Sequence, residues 1–358
     1  MGEALRIGGE PPVTLTAWDA SAAGPAFIEA TVLPGRGMML LQARLRLASG
    51  EVVDAIAAPG LKAAARELDG GPDDFAGNKA FSFGGAILAP YANRIRGRPV
   101  AGAREIETEI ASQTVRLPRN WGGKAAGAEQ YAMHGLILDA PIPWRQDAPN
   151  RLTGRLDAGN FGGRWPGHAA LDFEWSLTCG ALVLKVMAQN LGETPVPMGI
   201  GWHPYFALPS GDRRQARLRV PARSRVLVND YDEVLPTGEL EAATGGPYDF
   251  SAKDGRALGE AYLDDCFTDL QREGGLAVAE LRDPAAGLGL RIASPSPQVR
   301  AFQVYAPPDK PFVVVEPQFN LADPYGAAWR GRDTGMASIP PAGSVTYEAR
   351  VAAFALGA

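Results

Sequence analysis

Apolar and polar side chains alternate along much of the chain. Between Leu41 and Leu47, Leu41, Ala43, Leu45 and Leu47 interleave with Gln42, Arg44 and Arg46, the period-two pattern of a strand with one face on a core. Leu171, Phe173, Trp175 and Leu177 repeat it, as do Val345, Tyr347, Ala349 and Val351 against Thr346, Glu348 and Arg350. Ala181 to Ala188 is apolar except for Lys185, which predicts a strand covered on both faces. Helical signals are weaker, because Gly or Pro interrupts most windows long enough for three turns. Leu61 to Leu68 is the best helical candidate, and the segment Asp69 to Lys79 reads as an exposed acidic loop. No fixed-period repeat, low-complexity linker or composition break marks a boundary. The pattern predicts an all-β protein, a single large antiparallel β-sandwich spanning residues 1–358.

Composition narrows the partners. Of 358 residues, 46% are hydrophobic and 21% charged, enough to bury a large core. The 43 glycines and 30 prolines are scattered, as expected for many turns. With a net charge of -5 and no basic run, nucleic acid and anionic membrane are poor candidate partners. Cys179 and Cys266 are too few for a disulfide framework and are expected to stay reduced, which points to a cytoplasmic setting. The N-terminal stretch lacks a basic region followed by an apolar one, and no signal peptide or membrane span is expected.

Four stretches could carry chemistry. In N-L-G-E-T-P-V-P-M-G-I-G-W-H-P-Y-F-A-L, Asn190 to Leu208, His203 stands between Trp202 and Pro204 and is followed by Tyr205 and Phe206. Flat aromatic faces such as Trp202 suit the C–H face of a sugar ring; a buried histidine satisfied by a backbone carbonyl is the plainer alternative. In Phe83 to Arg98, Asn93 and Arg94 follow Pro90 and supply amide and guanidinium donors in fixed directions, suited either to adjacent hydroxyls or to an ordinary turn with a surface arginine. His134 lies in Y-A-M-H-G. Finally, Y-L-D-D-C-F holds Asp264, and F-V-V-V-E-P-Q-F-N delivers Glu316 at the end of a central strand. A carboxylate there is costly unless paired or used.

Taken in order, N-R-I-x-G, H-G, H-P-Y-F, D-D-C-F, F-Q-V-Y and V-V-E-P-Q, together with R-W-P-G and the N-x-G-x-T-P-x-P lead-in to His203, resemble the aldose 1-epimerase (galactose mutarotase) family. The resemblance implies a large β-sandwich with a sugar held in a cleft, acting without a metal or organic cofactor on a small-molecule aldose. Carried over by position, it implies Glu316 as general base, His203 as general acid and His134 as a second histidine near the ring oxygen. It implies Asn93, Arg94, Asp264 and Gln303 as sugar-binding residues, and leaves His168, in W-P-G-H, structural. The segment G-L-I-L-D-A-P-I-P-W after His134 departs from galactose-type members, and the N-terminal third matches poorly, so the preferred aldose stays open.

Anomer interconversion needs a base at the C1 hydroxyl and an acid at the ring oxygen, with roles reversed on closure. An ordinary Glu is ionised at neutral pH, whereas an ordinary His is mostly neutral. Nearby Glu316 and Asp264 charges are expected to keep His203 protonated, so that activity falls at alkaline pH as His203 loses its proton and at acid pH as Glu316 gains one. Three other readings stay open: a hexose-phosphate mutarotase using Arg94, Arg96 and Arg98, a glycoside hydrolase or lyase using Asp264 and Glu316, and a non-catalytic sugar-binding protein. In any of these readings the protein is expected to be a monomer or a homodimer.

Overall fold

The computed structural model describes residues 5–17 and 24–357; part of the N-terminal stretch read for a signal peptide lies outside them. Among the described residues, two large antiparallel sheets dominate, one of eleven strands and one of nine. The nine-stranded sheet runs through Arg151–Gly159, Ala169–Thr178, Ala181–Asn190 and Ser344–Ala355. The eleven-stranded sheet carries, side by side, Gly85–Leu88, Gly201–Ala207, Phe312–Gln318, Ala301–Ala306 and Leu263–Leu270. Inward side chains of both sheets meet in one apolar cluster that includes Trp175, Leu184 and Tyr347 from one and Trp202, Phe302, Val313 and Val315 from the other. Burying such aromatic and branched residues between two sheets is the main driving force for a sandwich.

The alternation in Leu41–Leu47, Leu171–Leu177 and Val345–Val351 falls on observed strands, with Leu47 just past the end of Met39–Arg46, and the residues of each apolar row are buried. The short helix spans Leu61–Glu67. Two expectations need correction. Ala181–Asn190 alternates buried with half-buried or exposed positions, because its second face has no covering layer; Val183 and Met187 are therefore only half-buried, and Lys185 is exposed. The acidic loop is not wholly exposed either. Its 3-10 segment Pro72–Phe81 buries Asp74, whose carboxylate pairs with the buried Arg36 guanidinium at 2.8 Å, so this loop is pinned to the body by an ion pair. Among the described residues, no helix is long and apolar enough to cross a membrane.

Candidate active site

The central strands of the larger sheet present one row of side chains to the core and the other to a cavity of about 410 Å³. On Gly201–Ala207, Trp202 faces the core while His203 and Tyr205 line the cavity. On the next strand, Val313 and Val315 face the core while Phe312 and Glu316 line the cavity; beyond it, Phe302 and Val304 face inward while Gln303 and Tyr305 line the cavity. The pleat therefore converts period-two alternation into a separation of packing from chemistry.

Register fixes who meets whom. Gly201 pairs with Gln318 and Tyr205 with Val314, which sets His203 level with Glu316. Gln303 pairs directly with Glu316. His203 Nε2 lies 3.4 Å from Glu316 Oε1, and both residues are almost inaccessible at the cavity floor.

The remaining site residues come from loops. Asn93 and His134 both have positive φ, 62° in each case, a conformation that costs free energy for a non-glycine residue and clusters at functional sites. They hold each other: the His134 backbone N–H donates to the Asn93 carbonyl at 2.9 Å, and the Asn93 backbone N–H donates to His134 Nδ1 at 3.2 Å. Because Nδ1 accepts, the neutral His134 ring carries its proton on Nε2. The His134 and His203 rings meet edge to face, with centroids 4.8 Å apart.

Four polar side chains close a circuit at the cavity wall. Arg94 Nη1 donates to Asn93 Oδ1 at 2.8 Å, and Asn93 Nδ2 donates to Gln303 Oε1 at 3.2 Å. Gln303 Nε2 donates to Asp264 Oδ1 at 2.6 Å, and Asp264 Oδ2 faces Arg94 Nη2 at 3.6 Å. Each link dictates the orientation of the next, so both amides are held with a single face available. Arg94 Nε also donates to the Tyr131 hydroxyl at 3.3 Å.

Burial governs the electrostatics. Desolvation pushes Glu316 well above the usual carboxylate range, with Asp264 adding to the rise and Arg94 opposing it. Desolvation likewise raises Asp264, against the pull of Arg94 and Gln303. His203 is pushed down to about 3, chiefly by burial, and His134 falls well below its ordinary value through burial and the neighbouring His203 and Arg94. The expectation that carboxylates keep His203 protonated is thus corrected. The 3.4 Å separation would suit an ion pair, but with so little water around either group the neutral pair is favoured.

His134, His203 and Glu316 offer two nitrogens and a carboxylate oxygen within 4.8 Å of one another, a donor set that borderline divalent metals accept. The Asn93 N–H bond to Nδ1 argues against that use, because it leaves a proton on the very nitrogen a cation would need. The same Nε2–H has no partner among the described residues, nor do His203 Nδ1 and Glu316 Oε2. These are unmet donors and acceptors beside a cavity, an arrangement suited to hydroxyl groups.

Of the residues singled out from sequence, the structure brings together Glu316, His203, His134, Asn93, Arg94, Asp264 and Gln303 around one cavity. Trp202 is a correction. Its ring is buried in the core against Trp175 and Phe206, and its indole N–H donates to the Gly85 carbonyl at 3.1 Å, because adjacent residues of a strand point to opposite faces. His168 lies elsewhere, bonded to Asp157 at 2.8 Å. Sequence reasoning missed Phe81, Trp121 and Tyr231 at the cavity; no local motif surrounds them, and only the fold brings them there. Tyr131 stood inside a quoted motif, but its hydroxyl bond to Arg94 had no local signal.

Solved structures of similar fold include the GalM/aldose epimerase homologue of C. elegans (TM-score 0.71, 16% identity, covering 97% of this chain and 99% of that one). A galactose mutarotase-like protein of Clostridium acetobutylicum matches with TM-score 0.70 and 18% identity, covering 94% of each chain. Galactose 1-epimerase of Lactobacillus acidophilus matches with TM-score 0.65 and 17% identity, covering 97% and 99%. At such identities the likeness is one of fold. No curated protein matches. The family model for aldose 1-epimerase matches residues 53–330, most of the chain and every residue of the cavity circuit, and the chain therefore belongs to the aldose 1-epimerase family.

Proposed function

We propose that the protein is a mutarotase that interconverts the α and β anomers of a free aldose such as glucose or galactose. The observation that carries the reading is the buried His203–Glu316 pair at 3.4 Å on the floor of a cavity whose wall is lined with oriented hydrogen-bonding groups. In this reading Glu316 takes the proton of the C1 hydroxyl while His203 gives one to the ring oxygen, and the open chain turns about C1–C2 before the roles reverse. His134, with its proton fixed on Nε2, donates a hydrogen bond beside the ring oxygen. Arg94, Asp264, Asn93 and Gln303 hold the remaining hydroxyls.

The pair's proton count follows from its burial. One proton is shared between His203 and Glu316; the neutral arrangement is favoured in the unliganded site, and the reactive arrangement, imidazolium with carboxylate, has the same number of protons. Substrate hydroxyls that bond the carboxylate favour the reactive arrangement. The phosphorylated-sugar reading finds less support, since the Arg96 guanidinium is held by Glu129 at 2.6 Å and that of Arg98 is exposed on Glu107, with neither lining the cavity.

Anomer exchange followed by NMR on glucose, galactose and glucose 6-phosphate, with intact protein and Glu316→Gln, tests the reading. Acceleration on a free aldose that the substitution removes is the expected result; spontaneous rates on every sugar would overturn it.

A further inference from the structure

We propose that Asn320 is a positioning residue for the reaction: its side-chain amide holds Ala92 as a neighbouring strand would, and so fixes Asn93 and the hydrogen bond that orients the His134 ring. The inference rests on the mutarotase reading above, in which His134 donates beside the ring oxygen. Asn320 ends the F-V-V-V-E-P-Q-F-N stretch that delivers Glu316. It is fully buried and does not line the cavity.

The Ala92 backbone N–H donates to Asn320 Oδ1 at 3.0 Å, and Asn320 Nδ2 donates to the Ala92 carbonyl at 2.9 Å and to that of Leu321 at 3.0 Å. Bonding both backbone groups of one residue is what a partner residue does in an antiparallel ladder. The same turn continues the pattern. The Asp323 N–H donates to the Arg94 carbonyl at 2.6 Å, and the Arg96 N–H donates to Asp323 Oδ1 at 2.9 Å. Residues 92, 94 and 96 are thus tied to residues 320–323, and Asn93 stands between two fixed neighbours.

Asn93 needs that support. Its positive φ of 62° persists only where the surroundings over-determine it, and in that conformation its N–H reaches His134 Nδ1 at 3.2 Å. Ala92 is fully buried, so without the amide its N–H and carbonyl have no water to turn to, and the segment relaxes to satisfy them. Relaxation carries the Asn93 N–H off Nδ1, which frees the His134 ring to turn and its proton to move between nitrogens. The chain also leaves room for the amide: a Cβ added to Gly199 would lie 2.0 Å from Asn320 Oδ1, and the Gly199 N–H donates to the Pro90 carbonyl at 2.6 Å. Gly199 belongs to the M-G-I-G lead-in to His203, so a missing side chain beside one histidine admits the group that sets the other.

The chain has three histidines, so NMR of isotope-labelled imidazole rings reads His134 directly. Intact protein should show its Nδ1 unprotonated and hydrogen-bonded. In Asn320→Ala, and in Gly199→Ala, which keeps Asn320 but crowds its amide, that signal should move toward an unbonded imidazole. The His168 ring, bonded to Asp157 away from the cavity, should stay unchanged and marks the folded state. Anomer exchange on glucose or galactose should fall about 10²-fold in kcat/KM, the scale of a misplaced group. An unmoved His134 signal in a folded variant overturns the positioning role whatever the rate, and so does a moved signal with kcat/KM unchanged. A moved signal with no exchange even by intact protein would keep the hold of Asn320 on His134 and remove the mutarotase reading.

Discussion

His203 Nε2 stands 3.4 Å from Glu316 Oε1, and burial drives both groups toward their neutral forms. The first prediction is a pH–rate profile set by the pair. Because the reactive state carries one proton between the two groups, activity is lost at acid pH only when a second proton adds, and His203 accepts that proton at about 3. At alkaline pH activity is lost when the last proton leaves, which occurs above the ordinary value of 4.5 for a glutamate because Glu316 is raised. An acid limb lying in the ordinary histidine range near 6.5 would contradict this assignment.

Glu316→Gln should remove the base and lower kcat about 10²–10⁴-fold while stabilising the fold. The sign follows from the raised folded pKa. Glu316 is neutral in both folded and unfolded states below about 4.5, so there it carries no burial penalty; above that the unfolded chain ionises first, and the penalty grows until pH reaches the raised folded value, beyond which it is constant. Thermal unfolding should therefore show a stability advantage of the variant that widens as pH rises from about 4.5 and then levels off, reaching about 0.5–2 kcal/mol. An advantage that is constant with pH would show that the carboxylate is not the titrating group.

Asp264→Asn should break the polar circuit at its acidic member. Arg94 is left with a buried guanidinium facing an amide instead of a carboxylate, and loss of one partner of a buried pair costs about 3–5 kcal/mol at the upper end; the bonds to Asn93 and Tyr131 reduce that toward about 2 kcal/mol. KM should rise more than kcat falls, measured by steady-state anomer exchange, because the circuit holds hydroxyls and does not move the proton.

Trp202→Leu separates the two faces of one strand. The ring fills core space between Trp175 and Phe206, so denaturant unfolding should show a loss of about 2–4 kcal/mol, with kcat/KM of the folded variant retained. A collapse of kcat/KM without loss of stability would place the ring in the site after all.

The fold was legible because strand periodicity is local: alternation at Leu41–Leu47 or Val345–Val351 reports a half-buried strand without knowledge of its partners. The site was partly legible for a different reason, since Glu316, His203, Asp264 and Asn93–Arg94 sit in short recognisable stretches, and the structure gathers them in one cavity. Trp202 was misassigned because a chemical preference for sugar was weighed without the parity that places neighbours of His203 on the opposite face. His203's protonation was misjudged because its pKa depends on water exclusion, which sequence proximity to a carboxylate does not report. The rim residues Trp121 and Tyr231 were invisible, as each acquires its place only through contacts distant in the chain.

Contacts distant in the chain also govern how the protein acquires activity. The strand Gly85–Leu88 pairs with Gly201–Ala207, which in turn pairs with Phe312–Gln318, so the reacting pair and its neighbours are joined only by closing long loops. Such non-local pairings raise contact order and slow folding. Turnover is then a late and stringent reporter of folding: during refolding from denaturant it should return with the final strand pairings, after early collapse, and fragments ending before Phe312 should bury apolar surface yet remain inert.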